Sequence, residues 1–515
     1  MKNKLFFYEG GFLSEVRLFC LEANVILRKN IRRIKMNKTF LLLLFAVSAV
    51  FSQIPHPDSL KFGELNWKIP DGKTYRKTIG KIPFYYEKEN LTGLFYFQLS
   101  FEAGSLLESP QPKGVSHLYS LSIRNGGSKK FSPAQVDSLL ALNAVSISVN
   151  SETYRTDFIV SGLSENKKIA FEILEDILQN PRFDSARIDL NRAKLAQRIN
   201  HRFDNPSNLL SAGWKSLIYP QTPISELLSA DFAEKITAED MRQYHKYLMR
   251  DAKMIVAASG DIEENAVKSF VEKVFGKNRN ENSRKSSEIK TAQNPQTLII
   301  HKDGLNQSYV TAGLPSFKRP DDRYYPLSIF NEILGGGFNS RLVSRVRSDE
   351  GLTYSIHSQL GSNYRFASSF QTQFFTKIES TNHALGLTYE IIESAANEKF
   401  STQEVGEKIE QFIQALPSAF RTSEDRVSVF LKDEFDGRKT NHYVEYPSRL
   451  RAIFADSVSF EAKRFLDKKR LFTVIVTDTS ALKNPPEYNG FSFESLKPKI
   501  IDVKEFEKNL GKGEK

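Results

Sequence analysis

Short stretches in which apolar and polar residues alternate give way to longer ones with an apolar residue every third or fourth position, and this succession occurs twice along the chain. In the first half, Leu94 to Phe101 reads as a strand, followed by a helix with glycines after it and then a second helix. Next come two strands, Ala144 to Asn150 and Tyr154 to Leu163, and an amphipathic helix from Asn166 to Gln179. Pro181, which lacks an amide hydrogen, stops that helix. Helical periodicity returns at Ser185 to Arg202 and Thr237 to Leu248, and Ala252 to Ala258 reads as a buried strand. Hairpins beside segregated helices predict an α+β protein of two homologous halves, each an antiparallel sheet covered by helices.

The halves come into register at an offset of about 209 residues. Gly126-Gly127 falls near Gly335-Gly336-Gly337, and Leu142 to Ile147 overlies Gly351 to Ile356. Tyr154-Arg155 meets Tyr364-Arg365 one position later. Residues 277–296, KNRNENSRKSSEIKTAQNPQ, hold almost no large apolar side chain and read as a linker. The predicted domains are therefore 53–276 and 297–515.

With 515 residues, 40% of them hydrophobic and 26% charged, the chain can bury more than one core, which excludes wholesale disorder and a polytopic membrane protein. The net charge of +11 is concentrated at the front, where residues 1–38 carry nine Lys and Arg against three Glu. The remainder is mildly basic, without a Lys/Arg block interleaved with aromatics, so no nucleic-acid partner is expected. Met36 opens a basic stub followed by the apolar run Phe40 to Phe51, too short to span a bilayer and suited to a signal-peptide core. Residues 36–52 are read as that signal and 1–35 as an upstream extension. Cys20, the only cysteine, lies in the extension, so the mature chain would have no thiol. An exported, periplasmic protein of a bacterium is expected, with no transmembrane span in the mature chain.

Two stretches carry candidate chemistry. The first is Phe101-Glu102-Ala103-Gly104-Ser105 with Lys113-Gly114-Val115-Ser116-His117-Leu118-Tyr119-Ser120-Leu121. The second is Phe330 to Leu342, which contains the glycine run, with Gly351-Leu352-Thr353-Tyr354-Ser355. Together they resemble the insulinase-like peptidases of family M16, and the resemblance extends over most of the mature chain. It implies the LuxS-like metallohydrolase fold and, in active members, His-x-x-Glu-His on a helix with a glutamate about eighty residues on as third zinc ligand. The glutamate inside the motif is the general base.

Here the motif reads His117-Leu118-Tyr119-Ser120-Leu121, with Ser120 in place of the base and Leu121 in place of the second histidine. The family's Asp-x-Pro landmark, Asp204-Asn205-Pro206, puts Arg198 where the third ligand belongs. One imidazole cannot supply the three protein ligands of a catalytic zinc site, and a serine has no basicity near neutrality. Arg198 would add a permanent positive charge. His117 is therefore expected to pack or hydrogen-bond on a helix face, with no metal held by this chain. The remaining histidines form no His-x-x-x-His pair; His201, on the helix predicted for Arg198, is the alternative partner for His117.

The resemblance further implies that an arginine and a tyrosine seven apart assist the reaction from the second half, one anchoring substrate and the other stabilising an oxyanion. Arg347 and Tyr354 have that spacing, running from a helix end through Gly351 into a strand. The bland alternative is a helix-end arginine and a packed strand tyrosine. Two-subunit family members divide the parts between chains. The expectation is accordingly a non-catalytic subunit that pairs with a zinc-bearing homologue around an unfolded peptide, zinc residing on the partner. A peptide-binding or scaffold homodimer and a metallopeptidase with an unrecognised site are the alternatives.

Overall fold

The computed structural model describes residues 67–510 apart from 277, 278, 280, 483 and 484, so the extension and signal peptide lie outside the described residues. After a single helical turn, α1 (Gly72–Tyr75), the first half runs β1 (Arg76–Ile79), β2 (Ile82–Lys88), β3 (Leu94–Phe101), α2 (Val115–Ser122), α3 (Pro133–Leu142), β4 (Val145–Ser151), β5 (Thr156–Leu163) and α4 (Lys167–Gln179). Then come α5 (Ser185–Asn200), α6 (Pro206–Ile218), α7 (Ala230–Lys235), α8 (Ala238–Arg250), β6 (Met254–Gly260) and α9 (Glu264–Phe275). The second half runs β7 (Thr297–His301), β8 (Gln307–Pro315), α10 (Tyr324–Asn331), β9 (Ile356–Leu360), β10 (Ser369–Lys377), α11 (Thr381–Asn397), α12 (Thr402–Ala415), α13 (Ser423–Phe435), α14 (His442–Arg451), α15 (Ala455–Phe465), β11 (Phe472–Thr477), β12 (Lys499–Asp502) and α16 (Val503–Leu510).

The sheets are ordered β1-β2-β6-β3-β5-β4 and β12-β7-β11-β8-β10-β9, so five strands of each follow one plan. They are mixed, which corrects the antiparallel expectation: β2–β6, β7–β11 and β7–β12 are parallel pairs. β6 and β11 return to their sheets only after a long run of helices, and a crossover of that length can deliver a strand in the same direction as its neighbour. The sixth strands break the symmetry, β1 joining antiparallel to β2 and β12 parallel to β7.

Both sheets are buried on two faces because the halves exchange helices. In β6, Met254, Val256 and Ala258 face the first half's own helices. Ile255 and Ala257 are equally buried on the opposite face, toward α13 of the second half, where Phe430 stacks on Tyr85 at 6.2 Å between centroids. Reciprocally, α6 lies on the second sheet, and Leu209, Leu210, Trp214 and Ile218 join Ile300, Val474 and Val476 in one cluster. Gly213 permits the approach, since a Cβ there would stand 2.8 Å from Val474 and 2.9 Å from Ile300. A fully buried leucine such as Leu209 contributes about 1.5–3 kcal/mol. Arg76 bonds Glu434 through Nε and Nη2 at 2.9 and 2.8 Å, and Arg426 bonds Glu87 at 2.7 Å twice.

The described part of the 277–296 segment has no helix or strand, yet it is anchored. Arg279, nearly buried, donates to the carbonyls of Met249 and Ala252, and Arg284 lies 3.8 Å from the Tyr247 ring centroid.

Candidate functional site

Helix α2 begins at Gly114, whose φ of +84° belongs to glycine, and Glu108 fills the orphan donors of its first turn. The Glu108 carboxylate accepts from the Gly114 and Ser116 amides at 2.7 and 3.0 Å and from Ser116 Oγ at 2.6 Å. Burial raises its pKa, the bonds from Ser116 and Gly114 working the other way. The inner face of α2 is a packing surface. Tyr119 is fully buried, and its hydroxyl meets His245 Nδ1 at 2.8 Å. His245 Nε2 lies 2.9 Å from the Leu178 carbonyl, so the proton is on Nε2 and Nδ1 accepts from the tyrosine.

On the outer face, His117 opens into a cavity of about 640 Å³ between the halves. Its walls include Glu108, Lys113, Trp214, Lys215 and Glu226 from the first half and Gln359, Asn363 and Phe366 from the second. Surrounding protein lowers the His117 pKa, and the Arg198 charge lowers it further, leaving the imidazole neutral at neutral pH. Ser120 Oγ donates to the His117 carbonyl at 2.9 Å. Leu121 packs on the first-half core, and its carbonyl accepts from Asn191 at 3.0 Å. His201 lies just past the end of α5 and meets Asp204 at 2.9 Å. The zinc implied by the motif does not fit: the second-ligand position is a hydrocarbon, the third a cation, and the serine is bonded to backbone.

Among the described residues one triad brings potential ligand atoms within 4.8 Å of each other, namely His301, Asp303 and Asp478. It is already satisfied internally. His301 Nδ1 accepts from the Thr479 amide at 3.1 Å, its Nε2 faces Asp303 at 2.9 Å, and Asp478 accepts from Ser480 and Gly304. The group staples the ends of β7 and β11 together.

Arg347 and Tyr354 are brought together away from the cavity. Arg347 is carried by a π-helical segment, Val343–Asp349, a wide-turned geometry often found at functional sites. Its guanidinium lies 4.9 Å from the Tyr354 ring centroid and 5.0 Å from that of Phe338. Tyr354 is 77% exposed and Phe338 71%. Strand β9 starts two residues beyond Tyr354, which corrects the expectation of a strand tyrosine. Gly335 and Gly336 belong to a second π-helical segment, Glu332–Gly336, and a Cβ on Gly335 would stand 2.6 Å from Ser358 Oγ. Phe338 and the cavity's second-half wall were not singled out from sequence. Phe338 is an isolated aromatic in a glycine-rich stretch, and the wall is assembled from distant segments.

Both halves of the chain resemble known proteins. Residues 87–227 match a family profile described as insulinase (peptidase family M16), and residues 235–412 match one described as peptidase M16 inactive domain. A non-peptidase homolog, YmxG, from Helicobacter pylori is 22% identical over 353 residues, 68% of this chain and 81% of that protein. A peptidase M16 inactive domain from Pseudomonas fluorescens superposes with a TM-score of 0.68 at 17% identity, covering 77% of this chain and 95% of that one. The periplasmic protease PqqL from Escherichia coli superposes with a TM-score of 0.64 at 14% identity, covering 86% of this chain and 51% of that one.

Proposed function

The chain belongs to the M16 family of insulinase-like peptidases, and from that premise we propose that it is a non-catalytic member working beside a zinc-bearing homologue. In this reading the chain lends Arg347 and Tyr354 to the partner's site and helps to enclose an unfolded peptide. The observation that carries it is a division within one chain. The zinc motif around His117 is dismantled, while the arginine–tyrosine pair is intact and held on an exposed surface outside the chain's own cavity.

The name of the Helicobacter pylori relative, a non-peptidase homolog, supports loss of hydrolysis. Export to a periplasm is part of the proposal, supported by the apolar run after Met36 and by the likeness to the periplasmic protease PqqL. Strands β4 and β9 end their sheets, and an extended peptide would add to such an edge through main-chain hydrogen bonds.

The test is reconstitution. A zinc-bearing M16 homologue from the same genome is purified alone and with this chain, and cleavage of an unfolded peptide is followed. The reading requires that this chain raise the rate and that Tyr354→Phe reduce the gain while the complex still forms. A Tyr354→Phe complex as active as the wild type removes the helper role and leaves a scaffold. Chelator-sensitive cleavage by this chain alone would reverse the assignment.

A further inference from the structure

A second cavity, of about 270 Å³, lies wholly within the second half, between the start of α10, the β9–β10 loop and helices α12 and α14. Its floor is Arg319, only 5% exposed. The guanidinium lies face-on to Tyr324, 3.6 Å from that ring's centroid, with the Tyr364 ring 5.2 Å away. Stacking holds the plane of the guanidinium and leaves its edges for hydrogen bonds. Nη1 donates weakly to Ser362 at 3.3 Å, but buried Nε has no partner, and no bond or ion pair engages Nη2 among the described residues.

In three other arginines of the chain that Nε–Nη2 edge holds a carboxylate. Arg76 presents it to Glu434, Arg426 to Glu87 and Arg323 to Asp321, each as a two-point fork. The acids around Arg319 are committed to other cations. Asp321 is taken by Arg323, Asp433 and Asp436 face Arg438, and Glu445 is held by Arg449. Buried hydrogen-bonding groups are ordinarily satisfied, so an unmet arginine edge at the bottom of a cavity calls for an acceptor. Tyr324, Tyr364 and Tyr446 also line the cavity. Leu416 and Ala419 complete an apolar wall.

We propose that this cavity binds a small carboxylate with a flat apolar body, the carboxylate forked on Nε and Nη2 of Arg319 and the body packed among the tyrosine rings. The volume is just under the lower bound of about 300 Å³ usual for drug-sized ligands, which limits the occupant to a small acid or the last residue of a peptide. His442 on the cavity wall stays neutral at neutral pH, its pKa lowered to about 4 by burial and by Arg438, Arg319 and Arg449, and the second cation on the wall, Arg438, is offset by Asp433 and Asp436. The site is separate from His117 and from the Arg347–Tyr354 pair, and it stands whether or not the paired-subunit reading holds.

Calorimetric titration of the purified chain with benzoate, benzamide, inorganic phosphate and N-acetyl-glycyl-phenylalanine tests it. Benzoate should bind saturably at millimolar or lower concentration while neutral benzamide does not, and benzoate should exceed phosphate. Binding of the dipeptide in competition with benzoate would identify a peptide C-terminus as the source, and failure of the dipeptide a free acid. Arg319→Gln should weaken benzoate about ten- to hundred-fold, the loss expected for a charged hydrogen-bonded pair. Ala419→Phe, which fills the cavity and keeps the arginine, should abolish benzoate binding and serves if Arg319→Gln fails to fold. The proposal is overturned if the folded wild type ignores benzoate, binds benzamide equally well, or binds benzoate undiminished in the Ala419→Phe protein.

Discussion

Arg198 lies near enough to His117 for its positive charge to lower the imidazole's pKa, although the two stand 81 positions apart in sequence. In a zinc peptidase of this family the same two positions would attract one cation together. Here they oppose one, and the first prediction concerns that opposition. Burial is the larger cause of the shift and survives replacement of Arg198. Arg198→Gln should therefore raise the His117 pKa without bringing it to the free-histidine value near 6.5. Proton NMR of the His117 ring across pH 4 to 8 reads it, and a pKa that does not rise would show that the charge is not felt.

The exchanged helices make a second prediction. Gly213 touches Val474 and Ile300 of the other half, so Gly213→Val must either push α6 off the sheet or displace those side chains. Overpacking of this kind costs about 1–3 kcal/mol. Chemical denaturation should show that loss, whereas Gly406→Val on α12, where a Cβ would meet nothing within 4 Å, should lose nothing and gain about a few tenths of a kcal/mol, since valine is a better helix former than glycine.

His245 provides a pH dependence. Burial lowers its pKa from 6.5 to about 4, so between those values the unfolded chain binds more protons than the folded one. Stability must then rise with pH across that window and be lost as pH falls through it, by roughly 3 kcal/mol for this residue. Asp433 works in the opposite sense, since burial raises its pKa to about 6 and the folded chain takes up its proton first. The His245 contribution is isolated by difference. The stability advantage of wild type over His245→Asn, measured by urea unfolding, should be larger at pH 7 than at pH 4.5.

Phe338 and Tyr354 stand in water and stabilise little. Phe338→Ala and Tyr354→Phe should each change unfolding free energy by less than about 0.5 kcal/mol, as exposed substitutions usually do. A loss of reconstituted activity in either variant is then not a folding defect. A large drop in stability for Tyr354→Phe would instead return that residue to a packing role.

Sequence periodicity placed the seven first-half elements that it bounded to within two residues, because each sheet face and helix stripe is apolar wherever it is buried. Helix α4, expected from Asn166, begins at Lys167, and β5, expected from Tyr154, begins at Thr156. Strand pairing was less legible. The unbroken run without charged residues along β6 says that both faces are covered, but it cannot say that β2 lies beside it in parallel or that α13, from the other half, covers one side. The helices betray burial and conceal the partner. The deficit at Ser120, Leu121 and Arg198 could be read from three letters, since it concerns what those side chains cannot do. The Arg319 cavity could not, because an unpaired guanidinium edge is a property of contacts.

The central claim, that this chain has lost the means to hold the catalytic metal, is tested most directly by the zinc content of the purified protein. Wild type and a triple variant, Ser120→Glu with Leu121→His and Arg198→Glu, are each dialysed against zinc and then analysed by mass spectrometry of the metal. Substoichiometric zinc in the wild type, unchanged by His117→Ala, with a clear gain in the triple variant, is the result this account predicts. One zinc per wild-type chain, lost when His117 becomes alanine, would contradict it.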